Sequence, residues 1–230
     1  MGTKWSEIIT DYAMVEINDD RLNEKLSENP ALFFRTMSLY MKNGIPRFTE
    51  PPEEKQWLTY MPPICDSFEC KVEQDVTTVQ TGKIKFDLCC VEVISEDRYE
   101  NPVATPLAGA AYDSETGVVT LPDGLAVGSA LSMDFYTDGE FENILSLDEK
   151  RILGLCVQIV WENRYIGTWL DRVSKVKDKT FDIGSESNQT RANTDRMRML
   201  DGKLSGEMHK YAQNLRYRQI VPQNRQLKRP

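Results

Sequence analysis

The stretch MRMLDGKLSGEMHKYAQNL, at residues 197–215, carries the clearest structural signal in the chain. Its apolar side chains recur at intervals of three and four residues, a spacing that places them along one face of an α-helix. A helix face of this kind packs on a second helix. We call this face the seam, and it consists of Met197, Leu200, Leu204, Met208, Tyr211 and Leu215.

A partner helix is predicted upstream, over residues 146–173. Ser146 is followed three residues later by Glu149, the capping-box pattern in which each side chain accepts a hydrogen bond from the other residue's backbone N–H. Apolar residues then keep to one face for about 25 residues. The segment 174–187 is polar and predicts a linker, so the two long helices are expected to form a hairpin.

The first 63 residues predict shorter helices followed by a connector. Apolar residues at helical spacing favour helices over residues 4–13, 20–26 and 31–41. Asn29 before Pro30 is a strong helix start, and Gly44 supplies a helix end. Five prolines between residues 46 and 63 then exclude a long element and predict a stiff connector.

Between residues 64 and 137 apolar and polar residues alternate, which predicts β-strands. The alternation is clear at residues 68–72, 84–94 and 131–135. Residues 112–121 predict a β-hairpin, because Gly117 can adopt the positive φ that a bulged turn requires. Several short strands separated by turns are typical of a small β-sandwich or barrel.

These elements predict an α+β protein with an inserted β module. The helical body comprises the N-terminal helices and the two long C-terminal helices, and the insertion is a small antiparallel β-sandwich or barrel. Pro222 is expected to end the last helix, which leaves an extended C-terminal tail. The predicted boundaries are 1–63 for the N-terminal helices and connector, 64–140 for the β module, 141–218 for the helical hairpin and 219–230 for the tail.

Charge is distributed unevenly along the 230 residues, whose formal net charge is −8. Residues 191–230 hold 10 basic and 3 acidic side chains, a net +7, whereas residues 1–190 hold 18 basic and 33 acidic ones, a net −15. A basic end on an acidic protein favours docking onto an acidic partner surface. The residues predicted to bind this partner are Arg216, Arg218, Arg225, Lys228 and Arg229.

The sequence offers no recognisable catalytic or metal-binding motif. His209 is the single histidine, and its charged helical surroundings favour a position at the surface or at the edge of the seam. The five cysteines lack a paired C-x-x-C spacing, and adjacent Cys89 and Cys90 are expected to point to opposite faces of a strand. No apolar run approaches the ~20 residues of a membrane helix. We therefore predict no enzyme activity, cofactor, bound metal or membrane segment.

The organisation of the chain resembles that of tailed-bacteriophage neck proteins, of the head–tail connector or adaptor type. The resemblance lies in the helices at residues 146–173 and 197–215, the hairpin at residues 112–121 and the basic tail at residues 219–230. It covers the layout of the chain and no diagnostic motif. Compact adaptors of this type are all-helical, so the β module at residues 64–137 is a departure from them.

The resemblance implies a structural virion protein that forms a ring of identical copies and reaches into the portal with its C-terminal segment. Portal protein and other neck or tail proteins are then its partners, and the basic tail is compatible with non-specific contact with passing DNA. The expected location is the host cytoplasm before assembly and the virion neck afterwards. Another tail or baseplate component is a second interpretation. A soluble nucleic-acid-processing enzyme with an unrecognised site is a third, from a different class.

Overall fold

The computed structural model describes residues 2–51, 58–73, 77–96, 101–175 and 183–226, with side chains throughout these ranges except at residues 96, 165–190 and 218–226. The chain combines α-helices with antiparallel β-sheets, which confirms the predicted α+β class at this level. Helices dominate both ends of the described chain and strands dominate its middle, as the two hydrophobic periodicities predicted.

Short helical segments fill the N-terminal part of the chain, and two long helices fill the C-terminal part. The N-terminal segments are α1 (Trp5–Ile8), a π-helical turn (Ile9–Ala13), α2 (Met14–Ile17), α3 (Asp20–Glu28), α4 (Pro30–Gly44) and a 3-10 turn (Ile45–Arg47). The long helices are α5 (Leu147–Lys175) and α6 (Ile183–Gln226).

Most of the strands lie between the two helical regions. In chain order they are β1 (Thr3–Lys4), β2 (Tyr60–Met61), β3 (Ile64–Lys71), β4 (Thr78–Gln80), β5 (Asp87–Glu96), β6 (Pro102–Pro106), β7 (Ala111–Asp113), β8 (Val118–Thr120), β9 (Ala130–Thr137) and β10 (Glu140–Phe141). Within the described ranges they form three sheets, with the strand orders β1-β10-β2, β3-β9-β5-β6 and β4-β8-β7.

The chain divides into two compact units. The first is built from Met1–Asp19, Leu39–Met61 and Phe141–Pro230, and the second from Asp20–Ser38 and Pro62–Glu140. The predicted β module therefore shares its unit with residues 20–38, which the sequence pattern assigned to the N-terminal helices. The physical reason is a set of contacts far apart in sequence, such as the 2.6 Å hydrogen bond that the Asn29 amide donates to the Cys89 carbonyl.

The first unit is packed around the N-terminal half of α5, which contacts the π-helical turn, α2 and α6. Ile152, Cys156 and Ile159 of this half are buried. Gly154 lies so close to the π-helical turn that a Cβ atom added to it would be 2.7 Å from the Cβ of Tyr12 and 3.1 Å from its carbonyl carbon. Only glycine allows the two backbones to approach this closely.

The core of the second unit is shared by its four-stranded and three-stranded sheets. Its buried members are Val72, Val91, Val119, Leu121, Leu131, Met133 and Phe135. Because side chains alternate along β9, its intervening residues Asp134 and Tyr136 lie on the opposite face of the four-stranded sheet.

Several local predictions are confirmed. The backbone N–H of Ser146 donates to the Glu149 carboxylate and that of Glu149 to the Ser146 hydroxyl, so the capping box forms. The Asn29 side chain caps α4 by accepting a 3.0 Å hydrogen bond from the N–H of Leu32. Strands β7 and β8 form the predicted hairpin, and Gly117 in its turn has φ of +70°.

Several predicted boundaries differ from the structure by a few residues. The strand predicted from residue 84 begins at Asp87, because Lys85 has a left-handed backbone with φ of 64° and donates its N–H to the Ser114 carbonyl. α6 begins at Ile183, inside the predicted linker of residues 174–187, of which residues 176–182 lie outside the described residues.

The C-terminal tail is the larger correction. α6 continues through Pro222 to Gln226, so the prediction of an extended segment is wrong for residues 219–226. Proline removes one backbone hydrogen bond from a helix, but extending an existing long helix needs no new nucleation. Residues 227–230 lie outside the described residues.

Candidate functional site

The two long helices pair in antiparallel directions. The Tyr211 hydroxyl of α6 donates a 2.9 Å hydrogen bond to the Glu149 carboxylate of α5, and Arg196 of α6 forms an ion pair with Glu162 of α5. As α6 advances from residue 196 to 211, its contacts on α5 move back from residue 162 to 149. This register places Leu147, the first residue of α5, opposite about residue 213 of α6.

The seam is buried where α6 runs alongside α5. Leu204 is 4% exposed, while Met208 and Tyr211 are each 6% exposed. The other seam residues, Met197, Leu200 and Leu215, are partly exposed. The predicted packing face is therefore confirmed at its centre.

α6 extends beyond the start of its partner helix. We call residues 213–226 the overhang, and at the rise of an α-helix it is about 20 Å long. Three of the predicted partner-binding residues, Arg216, Arg218 and Arg225, lie on it. Lys228 and Arg229 lie outside the described residues. The structure therefore brings three of the five predicted residues onto one helical segment.

Helical periodicity separates these three positions into two faces. Positions 218 and 225 are seven residues apart, so they return to the same face of the helix, whereas position 216 lies on the other side. The Arg216 side chain is exposed. Side chains at residues 218–226 are outside the described set, so the assignment of Arg218 and Arg225 rests on the helical backbone alone.

The four basic residues of α6 between residues 196 and 210 differ from Arg216 in their ionic contacts. Every Lys or Arg between residues 196 and 210 has a carboxylate within 4.0 Å; the pairs are Arg196–Glu162, Arg198–Asp195, Lys203–Glu16 and Lys210–Glu207. Among the residues that the structure describes, Arg216 has no such carboxylate partner. The positive charge of α6 is thus matched between residues 196 and 210, whereas neither Arg191 nor Arg216, on either side of this stretch, has a carboxylate within 4.0 Å among the described residues.

A second polar group, which the sequence did not reveal, lies in the other unit. The Asp134 carboxylate accepts a 2.6 Å hydrogen bond from the Ser67 hydroxyl and a hydrogen bond from the Arg35 guanidinium, with which it forms an ion pair. The Cys90 sulfur lies 3.8 Å from the same carboxylate. We call these four residues the Asp134 cluster. They come from α4, β3, β5 and β9, so no local spacing could have indicated that they meet.

A β-bulge in β5 explains how Cys90 reaches this cluster. The pairing of β5 with β9 shifts between Leu88 and Cys90, which leaves one extra residue, Cys89. Leu88 and Val91 both pack into the core, so the two cysteines between them lie on the other side of the sheet. The prediction that Cys89 and Cys90 point to opposite faces is therefore wrong.

The titration behaviour of the cluster indicates a structural contact. Burial raises the pKa of the Cys89 thiol to about 12 and also raises that of Cys90, and protonated thiols are poor nucleophiles. Burial acts to raise the pKa of Asp134 as well, but the hydrogen bonds from Ser67 and Arg35 outweigh it and lower this pKa. A carboxylate held ionised in this way is a weak base, so its role is to tie α4 to the sheet.

We expect Asp134→Asn to reduce the stability of the protein most at neutral pH and least in acid. The folded pKa lies below the unfolded value of ~3.9, so ionised Asp134 contributes stability that is present above this value and disappears as pH falls through the folded pKa. Urea unfolding of both proteins across this pH range measures the effect. Asp123→Asn, at an exposed turn, controls for loss of a charge. A difference between wild type and Asp134→Asn that stays constant with pH contradicts this prediction.

Other candidate chemistry is limited within the part of the chain that the structure describes. No group of three or more His, Cys, Asp or Glu residues there is arranged to hold a metal ion. His209 is exposed, and its ring nitrogen Nε2 lies 2.9 Å from the Gln213 side-chain nitrogen. None of the helices, in their described residues, has the length and apolar character needed to cross a membrane.

No protein-family model, curated protein or solved structure matches this chain. The functional assignment therefore depends on the geometry of its own residues, and the overhang of α6 is the feature that most resembles a binding segment.

Proposed function

We propose that this chain is a structural subunit of a tailed-phage neck ring, which joins the portal to the tail. The main observation in support is that α6 is packed on α5 over part of its length and extends beyond α5 over the rest. The helix is buried against α5 along the seam and then continues as a basic overhang. In this role the overhang, together with Lys228 and Arg229, binds an acidic surface of the portal.

The distribution of charge supports assembly into a ring. A closed ring of identical subunits uses two different surfaces of each copy, in contact head to tail. Residues 1–190 carry a net −15 and residues 191–230 a net +7, so such a subunit has electrostatically complementary regions. Attraction between them favours association in one orientation.

The proposal also assigns a role to the β structure. We infer that the second unit acts as a small β-sandwich inserted into a helical body, where it contacts other neck or tail proteins. The protein then acts in the virion, after synthesis in the host cytoplasm, and contacts DNA only non-specifically. The function requires no catalysis, cofactor or metal.

Electron microscopy of the purified protein with portal rings tests the proposal. We expect closed rings from the full chain, and a portal–ring complex when both are mixed. Deletion of residues 219–230 is expected to abolish the complex while shifting the thermal midpoint by less than about 2 °C, because the buried seam is retained.

The control is Lys25→Glu combined with Lys42→Glu, which changes two exposed basic residues outside the basic C-terminal region. This variant should still join the portal. A chain that remains monomeric at about 50 μM, a concentration that supports micromolar assemblies, contradicts the proposed ring. A truncated chain that binds portal normally contradicts the role of the C-terminal end.

A further inference from the structure

We propose that the overhang docks as a helix onto an acidic helix of a different protein, with positions 218, 222 and 225 as its docking face. This inference rests on the proposed function in taking the C-terminal end as the docking segment. It adds the conformation of that segment, the face that makes contact and the chemistry of the partner.

The docking face is the continuation of the seam. Seam positions 204, 208, 211 and 215 alternate in steps of four and three residues, and positions 218, 222 and 225 continue the same alternation. The residues are apolar up to Leu215 and become Arg218, Pro222 and Arg225 beyond it. The face of α6 that packs on a helix thus changes from apolar to basic.

This change coincides with the end of the partner helix. The Tyr211–Glu149 contact fixes the register of α5 and α6, and α5 begins at Leu147, two residues before Glu149. Residues beyond about 213 therefore have no part of α5 opposite them. A helix of another protein placed end to end with α5 would contact the face of α6 that α5 itself covers before residue 213.

The partner must be acidic. Between residues 196 and 210, α6 pairs each of its cations with a carboxylate, whereas the overhang contains three arginines and no acidic residue of its own. Positions 218 and 225, both arginine, lie about 10 Å apart along the axis on one face of the helical backbone. A helix with carboxylates seven residues apart matches this spacing and supplies charge-assisted hydrogen bonds.

A second overhang does not fit this face. Two copies packed through positions 218 and 225 would bring arginines against arginines, and like charges at a helix contact repel. A bundle of overhangs is therefore disfavoured, and the occupant is a protein of complementary charge.

The test uses the full chain and a designed probe. The probe is a four-heptad helical peptide with glutamate at every seventh position on one face, and the control peptide has the same composition with those glutamates spread around the helix. Fluorescence anisotropy measures binding at about 50 mM and 200 mM salt. We expect the aligned peptide to bind at least about tenfold more tightly than the control peptide, with the preference shrinking at higher salt.

Variants of the chain identify the docking face. Arg218→Gln with Arg225→Gln should weaken binding of the aligned peptide by about tenfold or more, whereas Arg216→Gln, on the other side of the helix, should weaken it by less than about threefold. Glutamine has nearly the same helix propensity as arginine, and circular dichroism verifies that both variants stay folded. Equal losses from both variants, equal binding of the two peptides, or tighter binding of double-stranded DNA than of the aligned peptide would overturn the inference.

Failure of this inference is distinguishable from failure of the proposed function. If rings form and join the portal while Arg218→Gln with Arg225→Gln has no effect on either, helical docking is wrong and the neck-ring proposal stands. If the aligned peptide binds through positions 218 and 225 but no ring or portal complex forms, the docking face stands and the neck-ring proposal is wrong.

Discussion

Replacing Leu204 by alanine is expected to lower the free energy of unfolding by about 2–5 kcal/mol. Leu204 lies at the centre of the seam and is 4% exposed. The substitution removes buried methyl groups and leaves a cavity between α6 and its neighbours, and both changes destabilise the folded state. Equilibrium unfolding in urea measures the loss as a lower transition midpoint with an unchanged slope.

Met199→Ala is the matched control, because Met199 is on the same helix and is 76% exposed. It should change stability by less than about 0.5 kcal/mol, as surface substitutions do. If Leu204→Ala is as mild as Met199→Ala, then α6 is not held by its seam in solution. The antiparallel pairing of α5 and α6, from which the start of the overhang was deduced, would then not hold in solution.

Gly154→Ala is expected to destabilise the protein by about 2–3 kcal/mol, although alanine is the better helix former. The added Cβ would lie 2.7 Å from the Cβ of Tyr12 and 3.1 Å from its carbonyl carbon. The second of these atoms is backbone, so relief requires α5 to move away from the π-helical turn. A lowered thermal midpoint and faster amide hydrogen exchange in residues 9–13 should accompany the loss.

Gly202→Ala separates this clash from the general effect of alanine in a helix. Gly202 is in α6, and a Cβ atom added to it would meet nothing within 4 Å. Here alanine should stabilise the protein by about 0.5–1 kcal/mol, because glycine loses more backbone entropy on folding. The two substitutions are chemically identical and are expected to differ in sign. A stabilising Gly154→Ala would show that the close approach of the two backbones is absent in solution.

Local sequence patterns predicted those parts of the fold that depend on near neighbours. The capping box at Ser146 and Glu149, the Asn29 cap and the turn at Gly117 each involve residues within a few positions of one another. The seam was also predictable, because a helix repeats its buried face every three or four residues. These signals place elements along the chain and do not place distant elements against one another.

The errors have specific physical causes. The bulge at Cys89 breaks strand alternation, and no glycine or turn residue marks it in the sequence. Lys85 has a left-handed backbone conformation, which glycine and asparagine adopt more readily than lysine. Pro222 predicts a helix end, yet α6 continues to Gln226, because proline weakens a helix without always ending it.

The candidate site was predictable in part. Counting charge along the chain was enough to single out Arg216, Arg218 and Arg225, but the helical face that relates positions 218 and 225 depended on knowing that the helix continues. The Asp134 cluster could not be predicted. Arg35 and Asp134 are 99 residues apart, and only the pairing of the strands brings Ser67 and Cys90 to the same carboxylate.

Strand β6 determines how one edge of the four-stranded sheet behaves when the protein is concentrated. It is the outer strand of the four-stranded sheet, and the N–H of Leu107, just after it, donates to the Val91 carbonyl of β5. Backbone amides alternate in direction, so positions 102, 104 and 106 face away from β5, and two of these three are prolines without an N–H. This edge therefore offers one outward donor to an incoming strand, which protects the β6 side of the sheet against pairing with another copy when the protein concentration is high.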